Sequence, residues 1–486
     1  MSSVCNGRCR VIASWQVKRS NAAMSNVQRF GAVADGKTDA TDAIQHAVTA
    51  GDGILNFPRG EYLISRPIEI LLDECDRTAI DGLGGTAKVI MAGPGPAFHL
   101  VGTHQGTADP GSFEERVWQR QRLPTVCNIE IEGRHEQATG LLLEGVMQPT
   151  LQGVLCRRLL DGIRLTGRCR NVILSTCHIY ENRRYGIFFD RLNLHQANIS
   201  ASHISYNPVA GICIRESEVR NLQITGNDIE YNYSPNVDGS ADVLIDCSAA
   251  GSTVREATIC SNTIQARFSP NGANIRIRGL SPEQNQNAGM ITISGNLIGS
   301  QQVGVHLVAC RGVVVTGNVI YSGHDRNLLV ESSRNIVVGP NGFDHNPGYN
   351  TKEICTGIRL VDTVNSQISG CVIQDASAGK TTVENSQAFP RLGLVELIRS
   401  SRIGISGCHV LDGAPCGIYA EDCSDILLSG TTVAEVEAES PRSGLIRWKG
   451  IGLRNLITGC HIGPSGAPAL EIAAQAGVML QANLVE

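Results

Sequence analysis

Acids and guanidiniums recur at one position of a short repeated phrase. The phrase is Gly-apolar-x-apolar-x. Its fifth residue is Asp190 in GIFFD, Arg215 in GICIR, Asp246 in DVLID and Arg278 in NIRIR. Its third residue is Phe188, Cys213, Leu244 and Arg276 in the same phrases, and His306 in GVHLV. If these phrases are strands stacked side by side, equivalent residues lie about 4.8 Å apart per step and alternate residues point outward. Asp190 and Asp246, two steps apart, would then have backbones about 10 Å apart. That is near the upper end of the separation for an acid and a base flanking a water in an inverting glycosidase. Arg215, Arg276 and Arg278 could hold carboxylate or sulfate groups in bidentate fashion. The same set permits elimination from a uronate. An arginine of lowered proton affinity would take the proton beside the carboxylate, while Asp190, Glu216 and Asp246 hold a calcium ion that neutralises it.

The catalytic candidates are therefore Asp190, Asp246, Arg215 and Arg278. Arg276, His306, Asp242, Phe188 and an overhanging Tyr233 are candidates for substrate binding. Glu216 is a metal ligand only in the calcium-dependent variant, and hydrolysis requires no cofactor. Against these roles stands a plainer one, because alternating Asp and Arg on neighbouring strands form ion-pair ladders of roughly 0.2–1 kcal/mol per pair.

The elements that would align these residues are coils. NVILSTCHIYEN, ANISASHISYN and NLQITGNDIEYN place Cys177, Ser202 and Asn227 at 25-residue steps, and Asn182, Asn207 and Asn232 likewise. An aliphatic residue three before the marker and an apolar one two after it recur twelve times, from Cys177 to Asn483. Each unit holds period-2 segments and no amphipathic helix, so the repeat is a solenoid of strands, a parallel β-helix. The markers are expected to stack at a turn, where Asn tolerates left-handed backbone and bonds along the stack. Residues 26–486 read as one domain, with an N-terminal cap at 26–70, a polar insertion at 93–124 and regular coils over 150–486. Within the cap, Asp39 or Thr41 is placed to cap a short helix with Ile44, Ala47 and Val48 on one face, ended by Gly51. Residues 1–25 read as a disordered leader or a mis-assigned start.

Composition narrows the partners. A net charge of −5 does not call for nucleic acid, and no apolar run approaches the roughly 20 residues of a membrane span. Seventeen cysteines, several at the turn marker, read as free thiols packed as small hydrophobes rather than as a disulfide framework. The expected partner is a polysaccharide or oligosaccharide, with homo-oligomer formation left open.

FGAVADGKTDATDAIQHAV followed by LNFPRGEYLIS resembles the N-terminal segment of the pectate-lyase-like superfamily. That resemblance implies a single-stranded right-handed parallel β-helix with a short capping helix. It also implies a carbohydrate-directed role: polygalacturonase-type hydrolase, polysaccharide lyase, epimerase, or a tailspike-like binding protein without catalysis. The motifs of the polygalacturonases and of the calcium-dependent pectate lyases are missing, so no catalytic residue is carried over from them. The resemblance points to a secreted or periplasmic protein, whereas the thiol content and the lack of a clear signal peptide point to the cytoplasm.

Overall fold

The computed structural model describes residues 26–107, 109–346, 348, 355–375, 391–437, 444–466 and 468–486. The expected leader at 1–25 lies outside them. Three strands make a coil. In one coil these are Ala210–Arg215, Glu218–Thr225 and Asp228–Glu230; in the next, Ala241–Asp246, Thr253–Cys260 and Thr263–Gln265. We call them the a, b and c strands. Each pairs in parallel with its counterpart one coil on. The a and b strands merge into one 29-stranded sheet, because in Asp161–Ser175 and Tyr185–Ser200 both are a single bent strand, while the c strands lie in a 17-stranded sheet. Alternation sends one side chain in two inward, and a single apolar core runs from Val27 to Ala476.

The turn markers stack as expected. Asn227, Asn262, Asn296 and Asn318 each donate their side-chain amide to the Oδ1 of the next marker at 3.0 Å, ending on Asn341. The left-handed backbone falls one residue earlier than expected, at Gly226, Ser261, Gly295 and Gly317. The markers themselves stay out of the left-handed region and are buried, with their amides turned inward. A second ladder, Asn182 to Asn207 to Asn232, runs at the corner between c and a strands at 2.8–2.9 Å.

The capping helix forms where expected, but its N-cap residue is Ala40, which makes no side-chain capping bond, rather than Asp39 or Thr41. Thr41–Ala50 is an α-helix that buries Ile44, Ala47 and Val48, and the Asp39 carboxylate accepts from the Thr41 amide at 2.9 Å. It lies over the first coil, where an uncovered run of parallel strands would otherwise invite edge pairing. The polar insertion is shorter than the expected 93–124, since Gly95–Val101 is a coil strand paired with Ile68–Leu71 and Ala138–Glu144. Beyond it come two short helical turns, Pro110–Ser112 and Val117–Gln121, with Trp118 stacked on Phe113 at 5.8 Å.

Candidate functional site

The outward columns are physically adjacent. On the a strands Asp190 pairs with Arg215, Arg215 with Asp246 and Asp246 with Arg278; beside them Leu244 pairs with Arg276 and Arg276 with His306. A charged row therefore crosses successive coils on one face, as the phrase spacing requires.

Its members differ in freedom. Asp190 is 7% exposed and accepts from the guanidiniums of Arg164 and Arg191, the latter at 3.2 Å. Arg164 lies one coil before it, so the carboxylate leans away from Asp246, which sits two coils further on. Asp246 keeps an open side, with Oδ1 accepting from the Ser248 hydroxyl at 2.6 Å and amide at 3.1 Å, and Oδ2 lying 3.6 Å from Arg215 Nε. Arg215 also donates to the Tyr185 hydroxyl at 3.4 Å. Burial pulls its proton affinity down, but Tyr185, Cys213 and Asp246 more than restore it, so the guanidinium stays above its ordinary value. Arg278 is exposed and forms no ion pair with another described residue.

Deeper on the face, three groups form a relay. Arg276 donates Nε to His306 Nδ1 at 3.2 Å, and His306 Nε2 meets Glu331 Oε2 at 2.7 Å. The other Arg276 nitrogens donate to the carbonyls of Gly239 (3.3 Å) and Asn271 and so pin two loops over the sheet. Burial lowers the proton affinity of Arg276, and burial likewise lowers the pKa of His306, with Glu331 opposing it. The imidazole is thereby favoured neutral. Of the guanidiniums on this face, Arg276 rather than Arg215 has the lowered proton affinity the elimination reading requires.

Four expectations need correction. Asp242 does not face substrate: it is fully buried and continues the second asparagine ladder, accepting from Asn232 Nδ2 at 3.0 Å and Asn274 Nδ2 at 2.9 Å. The next coil offers Arg267 where earlier coils offer Asn, so Asp242 supplies the missing acceptor. Gly162 and Gly186 stand at equivalent heads of strands, where a Cβ would come within 2.6 Å of the next coil's carbonyl. Phe188 is 6% exposed, packed with Tyr185, Ala210, Cys213, Ala241 and Leu244 in a small apolar cluster on the outer face; the Arg184 guanidinium carbon lies 5.3 Å from its ring centroid. Glu216 is exposed in a left-handed bend, and among the described residues no three His, Cys, Asp or Glu side chains converge as a metal site. The proposed calcium set of Asp190, Glu216 and Asp246 is therefore not assembled. Tyr233 lies at the corner between c and a strands, against Tyr231 at 6.4 Å.

Sequence reasoning did not assign Glu331, Tyr206 or Tyr231 to a site. The two tyrosines carry a readable signal, the same 25-residue step as the asparagines that follow them.

All fifteen described cysteines are free, and most are buried. Burial pushes the Cys213 thiol up to about 12. No helix among the described residues is long and apolar enough to cross a membrane.

Three family models match in succession. Residues 24–112 match "Rhamnogalacturonase A/epimerase, pectate lyase-like", residues 119–279 "Right handed beta helix region" and residues 245–388 "Periplasmic copper-binding protein (NosD)". The uncharacterized protein YclG of Bacillus subtilis (strain 168) is 24% identical over 396 residues, covering 72% of this chain and 67% of that protein. Among solved structures, the N-terminal fragment of bacteriophage phi29 gene product 12 superposes with a TM-score of 0.55 at 13% identity, covering 94% of this chain and 72% of the fragment. The Pseudomonas phage phi297 tailspike gp61 gives 0.51 at 12% identity, with 95% and 84% covered. Those identities speak to fold alone. The chain is a right-handed parallel β-helix whose N-terminal segment is similar to the pectate-lyase-like family.

Proposed function

We propose that the outer face of the a strands takes an acidic polysaccharide or oligosaccharide and cleaves its glycosidic bonds, with Asp246 as the group that moves the proton. The observation that carries this reading is the file Arg215, Asp246, Arg278 on three successive coils. An acid with one open side stands between two guanidiniums that can receive carboxylates on neighbouring sugars. Asp190, occupied by the guanidiniums of Arg164 and Arg191, is not the second acid or base and serves to hold Arg164 and Arg191 on this face. The similarity of residues 24–112 to the rhamnogalacturonase/epimerase family supports a carbohydrate ligand, and the match to a periplasmic family model supports export. The thiols add nothing for a reducing compartment, because burial shields most of them from oxidants.

A second reading, proton abstraction beside a uronate carboxylate leading to elimination or epimerisation, is favoured by one feature. His306 is a partly buried imidazole favoured neutral between Arg276 and Glu331; its Nδ1 lone pair accepts from Arg276 Nε and becomes available for a substrate proton when Arg276 turns to the substrate carboxylate.

Incubation with a panel of uronic and sulfated glycans separates these readings. New reducing ends without ultraviolet absorbance of an unsaturated uronate indicate hydrolysis; that absorbance indicates elimination; solvent proton exchange into polymer of unchanged length indicates epimerisation. Asp246→Asn is expected to abolish hydrolysis, by a factor of about 100 or more. Full activity in that variant refutes the assignment.

A further inference from the structure

Three tyrosines gather where the c strands turn into the a strands. Tyr206 and Tyr231, one coil apart, stack with centroids 5.6 Å apart and planes within 6°, and Tyr233 leans on Tyr231 at 6.4 Å. Tyr206 is 57% exposed. With Pro208, Ser234, Pro235 and Arg267 they line an open cavity of about 600 Å³. The Arg267 guanidinium carbon lies 5.8 Å from the Tyr231 ring centroid. Among the described residues, Arg267 meets no carboxylate and the three phenolic hydroxyls meet no partner.

Stacking on the helix accounts for the parallel rings, since one coil adds about 4.8 Å. It does not account for leaving them in water. Large aromatics massed at the surface beside an unpaired cation mark a binding site. The flat strip suits the apolar C–H face of a pyranose, the free hydroxyls suit its edge, and Arg267 suits a carboxylate. Tyr233 also opens the segment that reaches Gly239, whose carbonyl holds Arg276 on the outer face. One loop thus joins the platform to the charged row.

We infer that Tyr206, Tyr231, Tyr233 and Arg267 form a stacking subsite for a uronate unit of the glycan that occupies the outer face. This rests on the ligand class assigned to that face. A glycan that crosses the a strands along the charged row would turn over the corner of the same coils to reach the tyrosines, which hold it in place and take no part in the chemistry.

Native affinity electrophoresis of the full chain through gels containing polygalacturonate, alginate or dextran tests this, with a single-stranded oligonucleotide as a competing ligand. Tyr206→Ala should weaken retention by polyuronate roughly three- to tenfold, whereas Tyr206→Phe, which keeps the ring, should stay within about twofold of wild type. Arg267→Gln should reduce retention by polyuronates. Tyr206 is exposed enough for replacement to spare the fold, and circular dichroism checks this. Unchanged retention of Tyr206→Ala by a polyuronate that the wild type binds overturns the subsite, whatever Asp246→Asn does to cleavage. Weakened retention in Tyr206→Ala together with full cleavage by Asp246→Asn upholds the subsite and removes Asp246 from the chemistry. Equal retention by dextran, preferential binding of the oligonucleotide, or no binding of either polyuronate by wild type overturns the assignment of an acidic sugar.

Discussion

Asp242 offers a direct test of how the coils are held together. It is fully buried, and burial raises its pKa well above the ordinary 3.8 despite three donors, the Asn232 amide at 3.2 Å, Asn232 Nδ2 at 3.0 Å and Asn274 Nδ2 at 2.9 Å. The folded protein therefore keeps a proton that the unfolded chain releases near pH 3.8. Between that pH and the raised folded value, the folded state binds one more proton than the unfolded state. Wild-type stability then falls as pH rises, by about 1.4 kcal/mol per pH unit from this group. Asp242→Asn removes the titration and keeps the shape. With the Asn274 amide flipped, the new Nδ2 donates to Asn274 Oδ1 in place of the bond that Asn274 Nδ2 now gives Asp242 Oδ2, so the number of hydrogen bonds between the two is kept. Urea unfolding of both proteins from about pH 4 to about pH 7 measures the difference in stability. The variant's advantage should be small at the acid end and grow with the slope above. A difference that is flat, or that shrinks as pH rises, would falsify a neutral, buried Asp242.

Two further predictions concern the scaffold. Asn262 accepts from the Asn227 amide and side chain at 3.0 Å and donates to Ile224 O at 3.1 Å and Asn296 Oδ1 at 3.0 Å; Asn262→Ala should cost about 3 kcal/mol in urea unfolding, and a loss under about 1 kcal/mol contradicts the ladder's role. Glu396 is 1% exposed and takes the Arg359 guanidinium at 2.5 Å and Arg326 at 3.3 Å, so Glu396→Gln withdraws a buried carboxylate from two guanidiniums, of which Arg326 keeps Asp325. A loss of about 3–5 kcal/mol is expected, and an unshifted midpoint would contradict it.

Local patterning determined the coil from the sequence. An apolar residue at fixed offsets from a small marker, repeated twelve times, leaves a period-2 strand one way to bury its face, which is to stack on the next turn. Hence the adjacency of Asp190, Arg215, Asp246 and Arg278 was readable from their shared place in a phrase. The capping helix was readable too, from Gly51 and the apolar face before it. Spacing could not say which outward residues remain available, because that depends on what arches over the sheet. Arg276 ties down its own coil's loop at Asn271 and the preceding coil's loop at Gly239, Phe188 is roofed by Arg184, and Arg164 and Arg191 occupy Asp190. Nor could it tell that Asp242, standing where other coils have Gly, turns inward. That follows from a missing asparagine in the neighbouring coil, and a gap in a ladder exists only once the chain has wound upon itself.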